Sequence, residues 1–350
     1  MERYIGLDVS STSCTFAVVG ATGKRLKSAV VETNGKALVE FLKLVPGTRH
    51  LCFEEGTQSE WLYEVLAPHV DRVVVVRVGE SRGQKSDRDD AFALAEALRL
   101  GGTGTPIYKS AGPYGRLRDL ARVYAKLVGD SVRTKNRLKT LFRARGIATA
   151  GKEVYRTENH EAWLKKLPAR SQTAAQLSFA EHDALAEVRA EAEKALVAEA
   201  RKHAITKTLA TCPGLGAIRV AQLVPIVVSP ERFRTKRQFW SYCGLGIVTR
   251  SSSDWEQGPD KSWTRTRQPM TRGLNRNHNH TLKYIFKGAA SSIVMQGAGP
   301  LYADYERLLA AGTKPNLAKL TIARKIAATV LAMWKKKESY DPTKKRSTKS

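Results

Sequence analysis

Acidic residues become scarce once the first third of this chain has passed. Residues 1–105 carry 13 Lys and Arg against 14 Asp and Glu, while the rest carries 46 against 19. The formal net charge of +26 therefore lies almost wholly behind residue 105. An enzyme of small neutral substrates has no use for such an excess; a polyanion does. Cysteine is scarce too. Cys14, Cys52, Cys212 and Cys243 are scattered, with no Cys-x-x-Cys pair and no histidine at ligand spacing. That pattern argues against a disulfide scaffold or structural zinc and predicts reduced thiols in a cytosolic protein. No apolar run reaches transmembrane length, and Met1-Glu2-Arg3-Tyr4 runs straight into a predicted strand, so no leader is expected. The basic charge thus points to nucleic acid, not to a membrane. A convincing phosphate-binding loop is missing as well, which removes the support for a sugar-kinase-like ATPase.

What is present begins with a 42% hydrophobic content, enough for two or three packed domains. Strands are predicted at Tyr4–Val9, Thr15–Val19 and Leu26–Val31, joined by short links that suggest an antiparallel meander. A helix follows from Asn34 to about Leu44, then a strand Leu51–Phe53 ending in Glu54-Glu55-Gly56, and a helix Ser59–Leu66. Val73–Val78 is a near-continuous β-branched run, as expected of a central strand. The next helix opens at Lys85-Ser86-Asp87-Arg88-Asp89-Asp90-Ala91, with Ser86 placed to cap it and acids suited to the positive end of its dipole. The order β-β-β-α-β-α-β-α matches a ribonuclease-H-like, RuvC-like fold.

First-turn acids alone often do no more than decorate a helix. Here they recur with acids where that fold keeps its active site: Asp8 on the first strand, Glu54 at the end of the fourth, Asp87 and Asp90 on one face of the last helix. An acid inside an apolar strand needs a partner or a metal. Four converging carboxylates suit Mg²⁺, which takes oxygen ligands and retains waters for a substrate phosphate. Two such ions about 4 Å apart can stabilise both oxygens of a phosphoryl transfer. Glu55 competes with Glu54, since strand alternation turns only one toward the site. Asp89 lies off the face shared by Asp87 and Asp90.

The stretch Gly101–Pro106 closes this domain, taken as residues 1–105. Residues 106–204 read as a basic helical or coiled-coil linker. Leu117, Leu120, Tyr124, Leu127 and Val128 recur at helical spacing, followed by the cations Arg133, Lys135, Arg137, Lys139, Arg143 and Arg145. From Ser178 a second stripe, Leu185, Val188, Ala192 and Leu196, suggests either a dimerising arm or an ordinary packed pair. Residues 205–334 form a third, mostly helical domain. In it Cys212-Pro213-Gly214-Leu215-Gly216 resembles a helix-hairpin-helix link, where glycines such as Gly214 and Gly216 allow close phosphate approach. Thr235–Gln238 fits a capping box, and Gly244 can end that helix. A serine triplet, Ser251-Ser252-Ser253, follows Arg250. Beyond it Trp255 and Trp263 lie among Arg265, Arg267 and Arg272, a mixture suited to nucleic acid. His278 and His280 precede a helix start, the better reading than a metal site. A last helix runs from about Asn316 to Trp334, and the tail 335–350 is expected to be disordered.

These motifs resemble the DEDD transposases of the IS-one-ten group of bacterial insertion sequences, nearly end to end. Gly6-Leu7-Asp8 looks like the group's first-strand motif. Glu54-Glu55-Gly56-Thr57 is an altered form of its Glu-Ala-Thr-Gly, and Lys85–Ala91 is similar to its Lys-Thr-Asp-x-x-Asp-Ala. Cys212–Gly216 and Phe239–Leu245 match its Pro-Gly-hydrophobic-Gly element and the helix before its catalytic serine. Counting eight residues from Gly244 gives Ser252. Because Gly246-Ile247-Val248 and Asp254-Trp255 replace the group's usual residues, Ser251 and Ser253 stay open as alternatives. The resemblance implies a transposase or site-specific recombinase guided by a noncoding bridge RNA that pairs with donor and target double-stranded DNA. It implies a covalent phosphoserine intermediate, Mg²⁺ as cofactor held by Asp8, Glu54, Asp87 and Asp90, and homodimers assembling to a tetramer in the bacterial cytoplasm at the nucleoid. Backbone contacts would fall to Arg133, Lys135, Arg137, Lys139, Arg143, Gly214, Gly216, Arg250, Arg265, Arg267 and Arg272. The alternative enzyme is a metal-only Holliday-junction resolvase-type nuclease using the same four acids without the serine.

Overall fold

A computed structural model describes residues 1–77, 86–104, 106–107, 112–250, 255–265 and 270–343. The chain divides into two compact units, Met1–Pro113 and Tyr114–Ser350.

The first unit is a mixed α/β structure consistent with the expected RNase-H-like fold. Its strands are β1 (Glu2–Val9), β2 (Ser13–Gly20), β3 (Arg25–Glu32), β4 (Thr48–Glu54) and β5 (Arg72–Val76). They form one sheet in the order β3-β2-β1-β4-β5. β1, β2 and β3 pair antiparallel, whereas β4 joins β1 and β5 joins β4 in parallel. The edge strand β3 is charged and exposed at Arg25 and Lys27, a common protection of an open edge. Helices α1 (Gly35–Lys43) and α2 (Ser59–Leu66) cover the face bearing Ile5, Leu7, Phe16, Leu51 and Phe53. Asn34 caps α1, its side chain accepting from the Ala37 N–H at 2.8 Å. Helix α3 (Asp87–Leu100) lies on the other face, against Ala17, Val19, Cys52, Val74 and Val76. It ends at Gly101, whose φ of 70° supplies the left-handed cap.

The second unit opens with two long helices, α4 (Gly115–Arg143) and α6 (Ala169–Ala200), linked through a short α5 (His160–Leu164). Tyr124 bonds Glu193 and Thr134 bonds Glu181, so rising numbers meet falling ones and the pair is antiparallel within one chain. The stripe expected on α6 is interrupted: Leu196 is buried, but Val188 is 49% exposed. A separate small core of Leu138, Phe142, Trp163 and Phe179 fastens the distal end. The main core gathers α7 (Ala204–Ala210), α8 (Ala217–Val227), α9 (Lys236–Tyr242), α10 (His280–Gln296), α11 (Pro300–Ala310) and α12 (Pro315–Lys336). The capping box of Thr235 and Gln238 forms as expected. Asn279 caps α10 by accepting from the Leu282 N–H.

Two short sheets were not expected. β6 (Ile247–Arg250) pairs with β9 (Met270–Leu274), and β7 (Trp255–Gln257) with β8 (Trp263–Arg265). Of the tail 335–350, residues 344–350 lie outside the described residues. α12 continues to Lys336, and the Tyr340 N–H donates to Thr211 Oγ1 at 2.8 Å, so order persists beyond Trp334.

Candidate active site

Parallel pairing of β1 and β4 aligns Gly6 with Cys52 and Leu7 with Phe53. The next residues, Asp8 and Glu54, therefore reach the same ends of neighbouring strands. Alternation puts both on the face that α3 covers. α3 can approach because residue 6 is glycine. A Cβ there would stand 1.8 Å from the Ala91 carbonyl oxygen and 2.7 Å from the Ala95 nitrogen. Small residues one turn apart on the helix and no side chain on the strand let the two backbones touch. The close contact brings the first turn of α3, with Asp87 and Asp90, toward the end of β1.

The electrostatics report the convergence. The Asp8 carboxyl is raised above its usual range, chiefly by burial and next by Asp87, with Asp90 and Glu54 adding to the effect and the Val9 N–H opposing it. Asp89 stands apart, 3.7 Å from Arg25 in an exposed ion pair. Glu54 and Glu55 both line a cleft of about 280 Å³ with Asp8, Ser10, Thr57 and Gln58. Of the two glutamates, Glu54 is the one whose charge acts on Asp8. Cys52, on the same strand, is no nucleophile: burial, aided by Glu54, pushes its thiol up to about 12. Ser86 occupies the cap position of α3, but its side chain makes no capping hydrogen bond, contrary to expectation.

Among the described residues no three acids close into a ready ligand cage. Mg²⁺ does not require one, since it is held by one or two carboxylates together with waters and substrate phosphates. Hard oxygen donors of like charge fit such a cation.

These acids lie inside a recognised sequence pattern. Residues 5–144 match the family model of the IS110 DEDD type, described as a transposase, and residues 206–294 match that of the transposase IS116/IS110/IS902 family. The chain belongs to the IS110 family of transposases. No curated protein matches it.

The transposase's other expected residues are distributed over its second unit. Ser251, Ser252, Ser253 and Arg267 lie outside the described residues, as does Lys85. Arg250 ends β6, Arg265 ends β8 and Arg272 lies in β9. The start of β6 is held firmly. Trp240 donates its indole N–H to the Arg324 carbonyl at 2.9 Å, Arg324 donates to the Leu245 carbonyl at 2.7 Å, and the Asn275 N–H donates to the Gly246 carbonyl at 3.0 Å. Gly244, at φ 66°, lies flat under the His278 ring, where a Cβ would stand 2.3 Å from it.

The five α4 cations expected at phosphates each make contacts within the chain. Arg133 pairs with Asp130, Arg137 with Glu181, and Arg143 donates to Thr149. Lys139 donates to the Gly151 carbonyl, and both Lys135 and Lys139 sit over the Tyr155 ring. Arg133 and Arg137 keep side-chain exposures of 64% and 63%, so their heads still face water. The two turn glycines differ. At Gly214 (φ 79°) a Cβ would stand 2.6 Å from the Ala289 carbonyl, so its bareness serves packing on α10. Gly216 has nothing within 4 Å and opens α8 to solvent. Sequence reasoning missed the packing role of Gly6 and the β7–β8 hairpin. Gly6 carried a signal in the Ala91 and Ala95 spacing; the hairpin carried one in Gly258-Pro259-Asp260 between two tryptophans.

Proposed function

We propose that this transposase is an RNA-guided DNA recombinase that cuts and rejoins donor and target double-stranded DNA through a phosphoserine intermediate. The observation that carries the reading is the convergence of charge on Asp8, which lines the cleft together with Glu54 and feels the charges of Asp87, Asp90 and Glu54. In this reading Asp8, Glu54, Asp87 and Asp90 are the magnesium ligands, and Glu54 serves in preference to Glu55. Held there, magnesium supplies Lewis-acid polarisation of the phosphate oxygens. The protein's part is to fix the carboxylates in place and to deliver the nucleophile.

That nucleophile is Ser252, or a neighbour in the triplet. Its oxygen bonds to phosphorus as the bond to the departing sugar oxygen breaks. The hydroxyl proton leaves to a nearby base, and the departing oxygen takes a proton. A serine hydroxyl is weak without such activation. Protomers assembled as dimers and tetramers bring serine and acids together. The exposed cations of α4, with Arg250, Arg265 and Arg272, contact phosphates, while base pairing with the bridge RNA chooses the sequence.

The test is incubation with labelled donor and target DNA, Mg²⁺ and candidate bridge RNA, followed by a denaturing gel. A protein–DNA adduct is expected that requires RNA and disappears in Ser252→Ala and in Asp87→Asn. Cleavage without an adduct, persisting in Ser252→Ala and without RNA, refutes the serine mechanism and leaves a metal-only nuclease.

A further inference from the structure

The β7–β8 hairpin pairs Trp255 with Arg265 and Gln257 with Trp263. Residues facing each other across an antiparallel ladder share a side, as do residues two apart on one strand. Trp255, Gln257, Trp263 and Arg265 therefore lie on one face, and Glu256 and Thr264 on the other. The two tryptophans are 49% and 61% exposed, whereas Trp163 and Trp334 are packed in cores. Leaving a large apolar side chain in water forgoes roughly 1.5–3 kcal/mol, and here two such groups share one face of a hairpin whose arms are three residues each.

Spacing and charge suggest the occupant. Diagonal neighbours on one face of a ladder stand about 7–8 Å apart. That is close to two steps of the roughly 3.4 Å rise between stacked bases, so a flat base fits between or upon the rings. From Arg250 to Arg276 the sequence holds six basic residues and three acidic ones. Of those acids, Glu256 falls on the opposite face and Asp260 accepts from the Ser262 N–H and hydroxyl within the turn. Lys261, exposed in the same turn at φ 61°, adds a cation to the hairpin.

We infer that this face is a stacking platform for unpaired bases of single-stranded DNA. Bases inside a duplex have their faces covered by neighbours, so only an opened strand can use it. Stacking tolerates any sequence because every base has a π-face. The choice of DNA rests on the chain being a transposase; it does not rest on the serine or on the guide RNA. In sequence the hairpin starts directly after the serine triplet and Asp254, so an opened strand held here lies near the segment proposed to cut it.

The test uses the full-length protein in EDTA, titrated with a labelled oligothymidylate, an oligouridylate and a duplex of equal length, reading anisotropy and tryptophan quenching. Trp255→Ala and Trp263→Ala are each expected to weaken oligothymidylate binding by about 5–150-fold. Trp263→Phe should stay within a few-fold of wild type, while Trp263→Leu should fall with the alanine variant. This Phe and Leu pair keeps the site filled, so it decides the matter even if Trp263→Ala unfolds. Equal binding by the leucine variant, equal affinity for duplex, or a preference for oligouridylate each overturns the proposal. Because no metal is present, loss of the platform with adduct formation intact is distinguishable from failure of the serine mechanism.

Discussion

Gly6→Ala adds one methyl group at the point where β1 and α3 touch. Its Cβ would stand 1.8 Å from the Ala91 carbonyl oxygen, an atom of the helix backbone that cannot rotate away. Carbon and carbonyl oxygen come no closer than about 3.3 Å even in favourable contacts, so α3 must retreat by roughly 1.5 Å. Forcing a packed interface apart costs about 1–3 kcal/mol, which for a domain of this size lowers Tm by roughly 5–20 °C. The retreat also carries Asp87 and Asp90 away from Asp8, and a displacement of about 1 Å at a reacting centre can cost roughly 100-fold in rate. Gly6 does not have a positive φ, so alanine suits its backbone; without the contact the substitution would stabilise by about 0.4–1 kcal/mol. The two accounts thus predict opposite signs. Gly20→Ala is the control, since its Cβ would meet nothing closer than 3.5 Å. Thermal melts of the two variants, with DNA cleavage assayed alongside, decide the matter. A Gly6→Ala protein that melts at or above wild type and cuts normally refutes the argument.

Asp8 is raised in the folded state, so the native protein binds that proton more tightly than the unfolded chain. Stability is therefore expected to fall as pH rises from the ordinary aspartate range through the native value. Asp8→Asn should melt higher than wild type at neutral pH without metal, lose the rise in Tm that Mg²⁺ gives wild type, and lose cleavage; melts with and without Mg²⁺ check all but the last. Gly214→Ala should destabilise by about 1–3 kcal/mol through the Ala289 clash. Gly216→Ala should leave the melt unchanged yet weaken DNA binding if a phosphate approaches that turn; equal binding removes the turn from the interface. Arg137→Ala breaks an exposed pair with Glu181 that contributes at most about 1 kcal/mol, and should reduce the slope of log affinity against log salt by about 0.9. An unchanged slope means that Arg137 serves only the α4–α6 pair.

Much of the first unit is legible without coordinates. The mostly apolar run of β1, the β-branched run of β5 and the cap at Asn34 are local signals, and local physics decides them. The acids Asp8, Glu54, Asp87 and Asp90 could be named because an acid in an apolar strand and a spaced pair on a helix are unusual in themselves. The antiparallel pairing of α4 with α6 was less clear, since Val188 breaks the stripe and buried polar residues such as His182 and Glu199 serve in its place.

Sequence by itself determined the charge division, the succession of strands and helices along the first unit and the residue types that chemistry requires, because each depends on composition or on neighbours along the chain. Only tertiary structure brings the charge of Glu54 to act on Asp8, since that depends on the register of β4 against β1. It also decided why residue 6 is bare: the atom that forbids a side chain belongs to Ala91, 85 positions further on. The two tryptophans on one face of the hairpin follow the same rule. A cross-strand register is a relation between distant residues, and no local pattern carries it.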